Sequence, residues 1–191
     1  EIYCKVFSEV VILSDTAAYD TSVQQLAKTT KHKNISVWDD VSNASIAAIV
    51  KTQKESIDAG EKLPIVLFIN DSGDAANSKE LNKELSKLYT KGRQSLISIT
   101  IAIQSISGQL THKMKGCTTE WIIYKNSADD LKLISKVLAS AFLSEKEVCA
   151  FLTEVTMAPF SFAFLNTRAK NAREMYRYCD PKTGFHDYFD S

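Results

Sequence analysis

Apolar residues along the chain fall into two patterns, short continuous runs and helical spacing, and the two patterns alternate. Runs rich in β-branched and aromatic residues predict strands at Cys4–Leu13, Ile35–Trp38, Pro64–Ile69 and Ser95–Ile103. Between them, apolar residues three and four apart predict helices at Tyr19–Lys28, Asn43–Ala59 and Ser78–Lys91. Strands that alternate with helices predict one α/β domain, in which a mostly parallel sheet carries helices on both faces.

The second half of the chain continues this alternation and then turns polar. Strands are predicted at Thr118–Tyr124 and Phe160–Phe164, and helices at Ala128–Phe142 and from Ser144 to about Met157. From Arg168 onward the sequence is polar and basic, and we expect little regular structure in Asp180–Ser191, which contains proline, glycine and several acids. We therefore predict a core of residues 1–167 and a polar tail of residues 168–191.

The strand that begins at Pro64 ends in a polar segment, Asn70-Asp71-Ser72-Gly73-Asp74. Ligands bind outside the carboxyl ends of parallel strands, and an acid at that position is the pattern of a Walker B element. Such an acid holds Mg²⁺ or polarises the water that attacks a phosphate. Two acids are usual there, but the first is replaced by Asn70, so Asp71 must carry the charge. An Asx turn leading into Ser72-Gly73 explains the same residues and is favoured when they are taken alone.

Two further polar residues flank the next predicted strand. Gln104 ends it, and an amide at that point can orient a water or sense a γ-phosphate; a surface amide is the alternative. Arg93 precedes the strand, and a guanidinium at a subunit edge can reach a neighbour's phosphate as an arginine finger. A solvated arginine near a helix C-terminus is the alternative for Arg93. The small residues Ser98, Thr100 and Ala102 on the second face of this strand predict burial on both faces.

Composition narrows the function classes. The formal net charge is zero, so no global basic field points to nucleic acid, although Lys113 and Lys115 could touch DNA phosphates locally. The four cysteines form no C-x-x-C pair, and the three histidines lack metal-ligand spacing. No apolar run approaches the roughly 20 residues that span a bilayer.

A phosphate-binding loop of the form G-x-x-x-x-G-K-[ST] does not occur in the 191 residues. The first residue is Glu1 rather than methionine, and strand-like sequence follows almost at once. We therefore expect a fragment whose natural N-terminal segment is absent, and negligible ATP hydrolysis by these residues alone.

The order of these pieces resembles the genome-packaging ATPases of the large DNA viruses of eukaryotes, in the FtsK–HerA branch of P-loop ATPases. The resemblance covers roughly Val6 to Ala141, through the segments Leu63–Asp74 and Lys91–Ser105. The second segment is the more specific, because it joins a Gly-Arg pair, Gly92-Arg93, through a buried-type strand to Gln104-Ser105.

This resemblance implies an ATP-driven DNA translocase. Asp71 would be the Walker B acid that holds Mg²⁺, Asn70 its neighbour at the nucleotide, Gln104 the sensor, and Arg93 a finger acting on the adjacent subunit. The implied fold is a RecA-like core without its first strand and phosphate loop, and the implied cofactors are ATP and Mg²⁺. The implied partners are double-stranded DNA, a homo-oligomeric ring and capsid components, in the host cytoplasm or the virion.

Two other functions fit the residues. A non-catalytic α/β domain, serving as a ring subunit or docking module, accounts for Asn70 and the missing loop. A metal-dependent phosphoesterase or nuclease could use Asp71 and Asp74, with Asp15 and Asp39-Asp40 available at other strand ends.

Overall fold

The computed structural model describes residues 6–29, 34–70, 79–106 and 110–190. The chain divides into two compact units, residues 1–114 and residues 115–191. Among the described residues, no helix combines the length and the apolar character needed to cross a membrane.

A parallel four-stranded sheet forms the centre of the first unit. Its strands are β1 (Glu9–Ser14), β2 (Ile35–Trp38), β3 (Ile65–Asn70) and β4 (Ile97–Ile101), in the spatial order β2-β1-β3-β4. Every neighbouring pair is parallel, with Ser14 beside Asn70 and Ile69 beside Ile101. The predicted α/β architecture and the four predicted strands of this half are therefore confirmed.

Helices α1 (Thr21–Thr29), α2 (Asn43–Asp58) and α3 (Lys79–Lys91) connect the strands. Asp20 begins α1 by accepting hydrogen bonds from the backbone N–H groups of Ser22 and Val23, at 2.8 and 3.2 Å. Ser42 caps α2 by accepting from the N–H of Ser45 at 3.2 Å. Gly60, just past the end of α2, has a φ of 91°, a value that favours glycine.

Unequal cores cover the two faces of this sheet. The larger core includes Leu13, Leu67 and Ile69 from the strands and three leucines of α3, Leu81, Leu85 and Leu88. On the opposite face the cluster of buried apolar residues is smaller and, among the described residues, consists of Val10, Ile12 and Val66, with four partly buried apolar residues around them. Ser98 and Thr100 of β4 lie on that face and are exposed, so the expected burial of both faces of β4 is wrong. The described apolar residues on that face belong to the region around β1 to β3 and do not extend over β4.

The second unit contains an antiparallel sheet. Its strands are β5 (Glu120–Ile123), β6 (Phe162–Asn166), β7 (Tyr176–Asp180) and β8 (Gly184–Asp187), in that spatial order. Helices α5 (Ala128–Leu138), α6 (Glu145–Val155) and α7 (Ala172–Met175) belong to it, whereas α4 (His112–Cys117) crosses the division between the units. The sequence did not predict this change from parallel to antiparallel pairing. The connections after β6 and β7 are too short for the parallel crossover, which takes a dozen or more residues.

The expectation of an irregular segment from Asp180 to Ser191 is wrong, because β8 pairs with β7 there. Asp180 turns the chain by accepting hydrogen bonds from the N–H groups of Lys182 (2.8 Å) and Thr183 (3.1 Å). Gly184 then starts β8 with a φ of 90°. Proline and glycine in this segment mark a tight hairpin turn, not the end of regular structure. The separation of a core of residues 1–167 from a tail stays a prediction.

Candidate functional site

The sheet of the first unit brings together the carboxyl ends of β1, β3 and β4. Asn70 is the last residue of β3, and the N–H of Ala102, just past β4, donates to the carbonyl of Ile69 at 2.9 Å. Gln104 follows two residues later and is exposed. Asn70 and Gln104 therefore lie at the same edge of the sheet, at the carboxyl ends of two neighbouring strands. Asp71 and Asp74, the predicted acids, lie in residues 71–78, outside the described part of the chain.

The strand order creates a switch point at this edge. From β1 the chain goes to β2 on one side and then returns to β3 on the other side of β1. Crossover helices that leave in opposite directions open a crevice at the carboxyl ends of β1 and β3, where α/β proteins bind ligands. Ser14 lies at this point, fully buried, with its hydroxyl 3.1 Å from that of Thr16. The sequence places Ser14 at a strand end but gives no sign that it faces Asn70.

Asp15 and Asp40 have structural hydrogen bonds at the same edge. The Asp15 carboxylate accepts from the N–H of Val41 at 2.9 Å and so ties the end of β1 to the loop before α2. The Asp40 carboxylate accepts from the hydroxyls of Ser42 and Ser45, each at 2.5 Å. These two hydroxyls hold the pKa of Asp40 below its usual range. Hydrogen bonds within the loops thus account for Asp15 and Asp40, two of the further acids that were available to the nuclease alternative, whereas its main acids, Asp71 and Asp74, lie outside the described residues.

The described residues at this edge of the sheet do not form a cluster of metal ligands. Within the described ranges, no three histidine, cysteine, aspartate or glutamate side chains are grouped so as to hold a metal ion. Among the described histidines, His186 has a polar contact with a hydroxyl group: its Nε2 lies 2.7 Å from the Thr183 hydroxyl.

Arg93 lies at the other end of β4 from Gln104. It belongs to the 3₁₀ helix Gly92–Ser95, which precedes β4, and its side chain is exposed. The five residues of β4 rise about 16 Å, so Arg93 is not part of the carboxyl edge that carries Asn70 and Gln104. A role for Arg93 in catalysis stays a prediction.

The first unit is an α/β fold, a parallel four-stranded sheet flanked by helices, with the candidate site at its carboxyl edge. Solved structures with a similar fold include those of B204, the genome packaging NTPase of Sulfolobus turreted icosahedral virus 2. In complex with AMPPCP it is 14% identical over 91% of this chain and 82% of its own, with a TM-score of 0.59. In complex with ATP-gammaS it is 13% identical over 91% of this chain and 83% of its own, with a TM-score of 0.57.

A related protein gives the same result. B204 of Sulfolobus turreted icosahedral virus, described as a DNA-packaging ATPase, is 12% identical over 91% of this chain and 82% of its own, with a TM-score of 0.57. No family model matches the chain, and no curated protein matches its sequence. At such low identity the likeness is one of fold, and the resemblance to viral genome-packaging ATPases is confirmed at that level.

Proposed function

We propose that this chain forms the ATPase domain of a viral DNA-packaging motor that couples ATP hydrolysis to DNA translocation. The observation that carries the proposal is the carboxyl edge of the parallel sheet, where Asn70 and Gln104 follow neighbouring strands beside the switch point. The likeness to a packaging NTPase studied with bound ATP analogues supports it.

The proposed roles follow from the position of each residue. Asp71, next to Asn70, holds Mg²⁺ directly or through water, because Mg²⁺ takes carboxylate and other oxygen ligands. The side-chain amide oxygen of Asn70 is also an oxygen ligand of the kind that Mg²⁺ takes, and Asn70 would contact the nucleotide. Gln104 hydrogen-bonds the γ-phosphate or the attacking water, and Arg93 reaches the nucleotide of an adjacent subunit in a homo-oligomeric ring. When bound, Mg²⁺ neutralises the charge that develops on the phosphate oxygens.

ATP hydrolysis by the full-length gene product, with and without double-stranded DNA, tests these roles. We expect DNA to stimulate hydrolysis, and we expect Asp71→Asn and Gln104→Ala each to reduce it by about 100-fold or more. Gln94→Ala is the matched control for Gln104, because Gln94 is an exposed amide at the opposite end of β4. Asp58→Asn, at the exposed end of α2, is the control for Asp71. Hydrolysis that persists in both site variants would reject the assignment of Asp71 and Gln104.

The role of Arg93 has its own test, because a finger acts across a subunit boundary. We expect Arg93→Ala to lower hydrolysis by about 1000-fold or more. Mixing Arg93→Ala subunits with Asp71→Asn subunits should restore part of the activity, since some interfaces then receive an intact acid and an intact arginine. Failure of every mixture to recover activity argues against action in trans.

The same assays separate the other functions. A docking domain without catalysis predicts no ATP hydrolysis by the wild-type gene product under any condition. A phosphoesterase or nuclease predicts cleavage of DNA with Mg²⁺ or Mn²⁺ that is lost in Asp71→Asn and does not require ATP. The packaging proposal predicts DNA that remains intact while ATP is consumed, with the protein located in the host cytoplasm or the virion.

A further inference from the structure

A cleft between α3 and α4 is lined by residues that have no role in the proposed ATPase site. Its volume is about 460 Å³, and its lining consists of Asn82, Lys83, Ser86, Lys87, Thr111 and Lys113. The four lining residues of α3 form a stripe next to the leucines that bury the helix in the core. One side of α3 therefore packs in the core, and the adjacent side lines the cleft.

The floor of the cleft is held in place by hydrogen bonds and by the core. The hydroxyls of Ser86 and Thr111 lie 2.9 Å apart, and Thr111 Oγ1 also accepts from the N–H of Met114 at 3.2 Å. Met114 is fully buried in the larger core, and Leu110 packs against that core. These contacts fix α4 against α3, so the lysines on either side of the cleft project from a stable surface.

Positive charge dominates this surface. Lys83, Lys87 and Lys113 are all exposed. Lys87 Nζ lies 2.6 Å from Glu84 Oε1, but both side chains are more than a third exposed, so the pair is weak in water and can yield to another anion. Lys83 and Lys113 make no ion pair with any residue in the described ranges. The exposed ammonium groups of the cleft therefore favour the binding of an anion.

The chemistry of the lining indicates a chain of phosphates. Ammonium groups bind phosphate as point charges, and hydroxyl groups contact phosphate and sugar oxygens without reading sequence. Lys83 and Lys87 are four residues apart on a helix, a rise of about 6 Å, so their ammonium groups lie on one side of the helix and can contact the same phosphate backbone. None of the described residues that line the cleft is aromatic, so they offer no surface on which single-stranded bases could stack.

We propose that this basic cleft binds the phosphate backbone of double-stranded DNA without sequence preference. The inference rests on the proposed function, because that function supplies DNA as the polyanion. It adds the surface through which the DNA is held.

The test measures the affinity of the full-length protein for a short labelled duplex over a series of salt concentrations. Replacing Lys83, Lys87 and Lys113 together by glutamine should weaken binding about tenfold or more at low salt. The slope of log K against log salt should fall in magnitude by about 2 to 3, because three phosphate contacts are lost. Two duplexes of unrelated sequence should give the same result.

A triple variant of Lys51, Lys54 and Lys62 to glutamine is the matched control. It removes the same charge from exposed positions of the same unit, and Lys51 pairs with Glu55 at 3.8 Å much as Lys87 pairs with Glu84. We expect this control to keep the wild-type slope, and circular dichroism should show both variants folded. Equal losses in the two variants would overturn the assignment to this cleft, because net charge alone would then explain the binding.

The remaining outcomes separate the inference from the proposed function. Wild-type binding with an unchanged slope in the cleft variant overturns the inference and leaves the ATPase proposal standing. If the wild-type protein does not bind DNA, the inference is overturned and the proposed function loses DNA as its partner. Binding of single strands in preference to the duplex also contradicts the inference.

Discussion

At Gly92 the backbone leaves no room for a side chain. This buried glycine opens the 3₁₀ helix before β4, and a Cβ placed on it would lie 2.8 Å from the carbonyl oxygen of Ile97. Since that oxygen belongs to the backbone of β4, it can move only if the strand moves. The glycine of the Gly92-Arg93 pair therefore has a packing function, whatever Arg93 does.

Gly92→Ala should lower the free energy of unfolding by about 1 to 3 kcal/mol, because the added methyl group overpacks the start of β4. Urea denaturation followed by circular dichroism measures the change. Gly116→Ala is the control, since no atom lies within 4 Å of a Cβ at Gly116 and alanine favours the helix by about 1 kcal/mol. A Gly92→Ala protein as stable as the wild type would show that the backbone at β4 yields easily.

The site residues show which features of a residue are visible in sequence. Asn70 and Gln104 lie at the ends of neighbouring strands at one edge, because parallel strands end on the same side. The hydrogen bonds of Asp15 and Asp40 were not predictable, since their partners Val41 and Ser45 come into reach only through the folded loops. Asp71 lies outside the described residues, and its role stays a prediction.

Among the elements, α6 shows how local sequence determines a boundary. The Ser144 hydroxyl accepts from the N–H of Glu147 at 3.4 Å, and the Glu147 carboxylate accepts from the N–H of Ser144 at 2.7 Å. These two reciprocal hydrogen bonds form a capping box, the Ser-x-x-Glu pattern of a helix start. Hydrogen bonds from the hydroxyl and then the N–H of Ser144 hold the pKa of Glu147 below its usual range.

Ser144→Ala should lower the free energy of unfolding by about 1 kcal/mol near pH 7 and raise the pKa of Glu147 toward its usual range. A lowered folded-state pKa gives stability that is present above the unfolded pKa and is lost as the pH falls through the folded value. The difference between variant and wild type should therefore shrink below about pH 4. Urea denaturation over a pH series and NMR titration of Glu147 measure these effects.

Thr153→Ala, in the same helix, is the control for the capping box. Its hydroxyl donates to the carbonyl of Cys149 at 2.8 Å and does not contact Glu147. Its effect on stability should not change with pH in the acid range. A pH-independent effect of Ser144→Ala would mean that Glu147 does not take part in the cap.

Element boundaries were predictable where the signal is local, and pairing was not. The cap residues Asp20 and Ser144 lie within three residues of their partners, so a short stretch of sequence is enough to indicate them. The pairing of β6 with β7 depends on contacts between distant residues, such as Phe164 beside Arg177. Because residues on one face of a sheet can be polar or exposed while the opposite face is buried, the polar composition after Arg168 did not indicate β7 and β8.

For the molecule as a whole, composition says less than the arrangement of residues. A net charge of zero is compatible with a local basic cleft, because three lysines and no acid are among the described residues that line it. The alternation of strands and helices predicted one α/β domain, whereas contacts divide the chain after Met114. The sequence around this division has no linker composition, so nothing local marks it.

The second unit has its own buried core. Val148, Phe151 and Leu152 from α6 and Ala163, Leu165 and Tyr176 from the sheet are fully buried. The Tyr176 hydroxyl donates to the carbonyl of Leu138 at 3.1 Å and lies 2.9 Å from the Ser140 hydroxyl. Burial raises the pKa of Tyr176, so this phenol stays protonated through the neutral range.

Because a compact unit with its own core can fold alone, we expect a fragment of residues 115–191 to unfold in one cooperative transition. Tyr176→Phe should lower its free energy of unfolding by about 1 kcal/mol, since the carbonyl of Leu138 loses a buried donor. Tyr124→Phe is the control, because Tyr124 is 55% exposed and its hydroxyl remains in water. Thermal and urea denaturation of the fragment and its two variants measure these changes. If the fragment lacks a cooperative transition, its core depends on residues 1–114, and the contact-based division does not mark an independent folding unit.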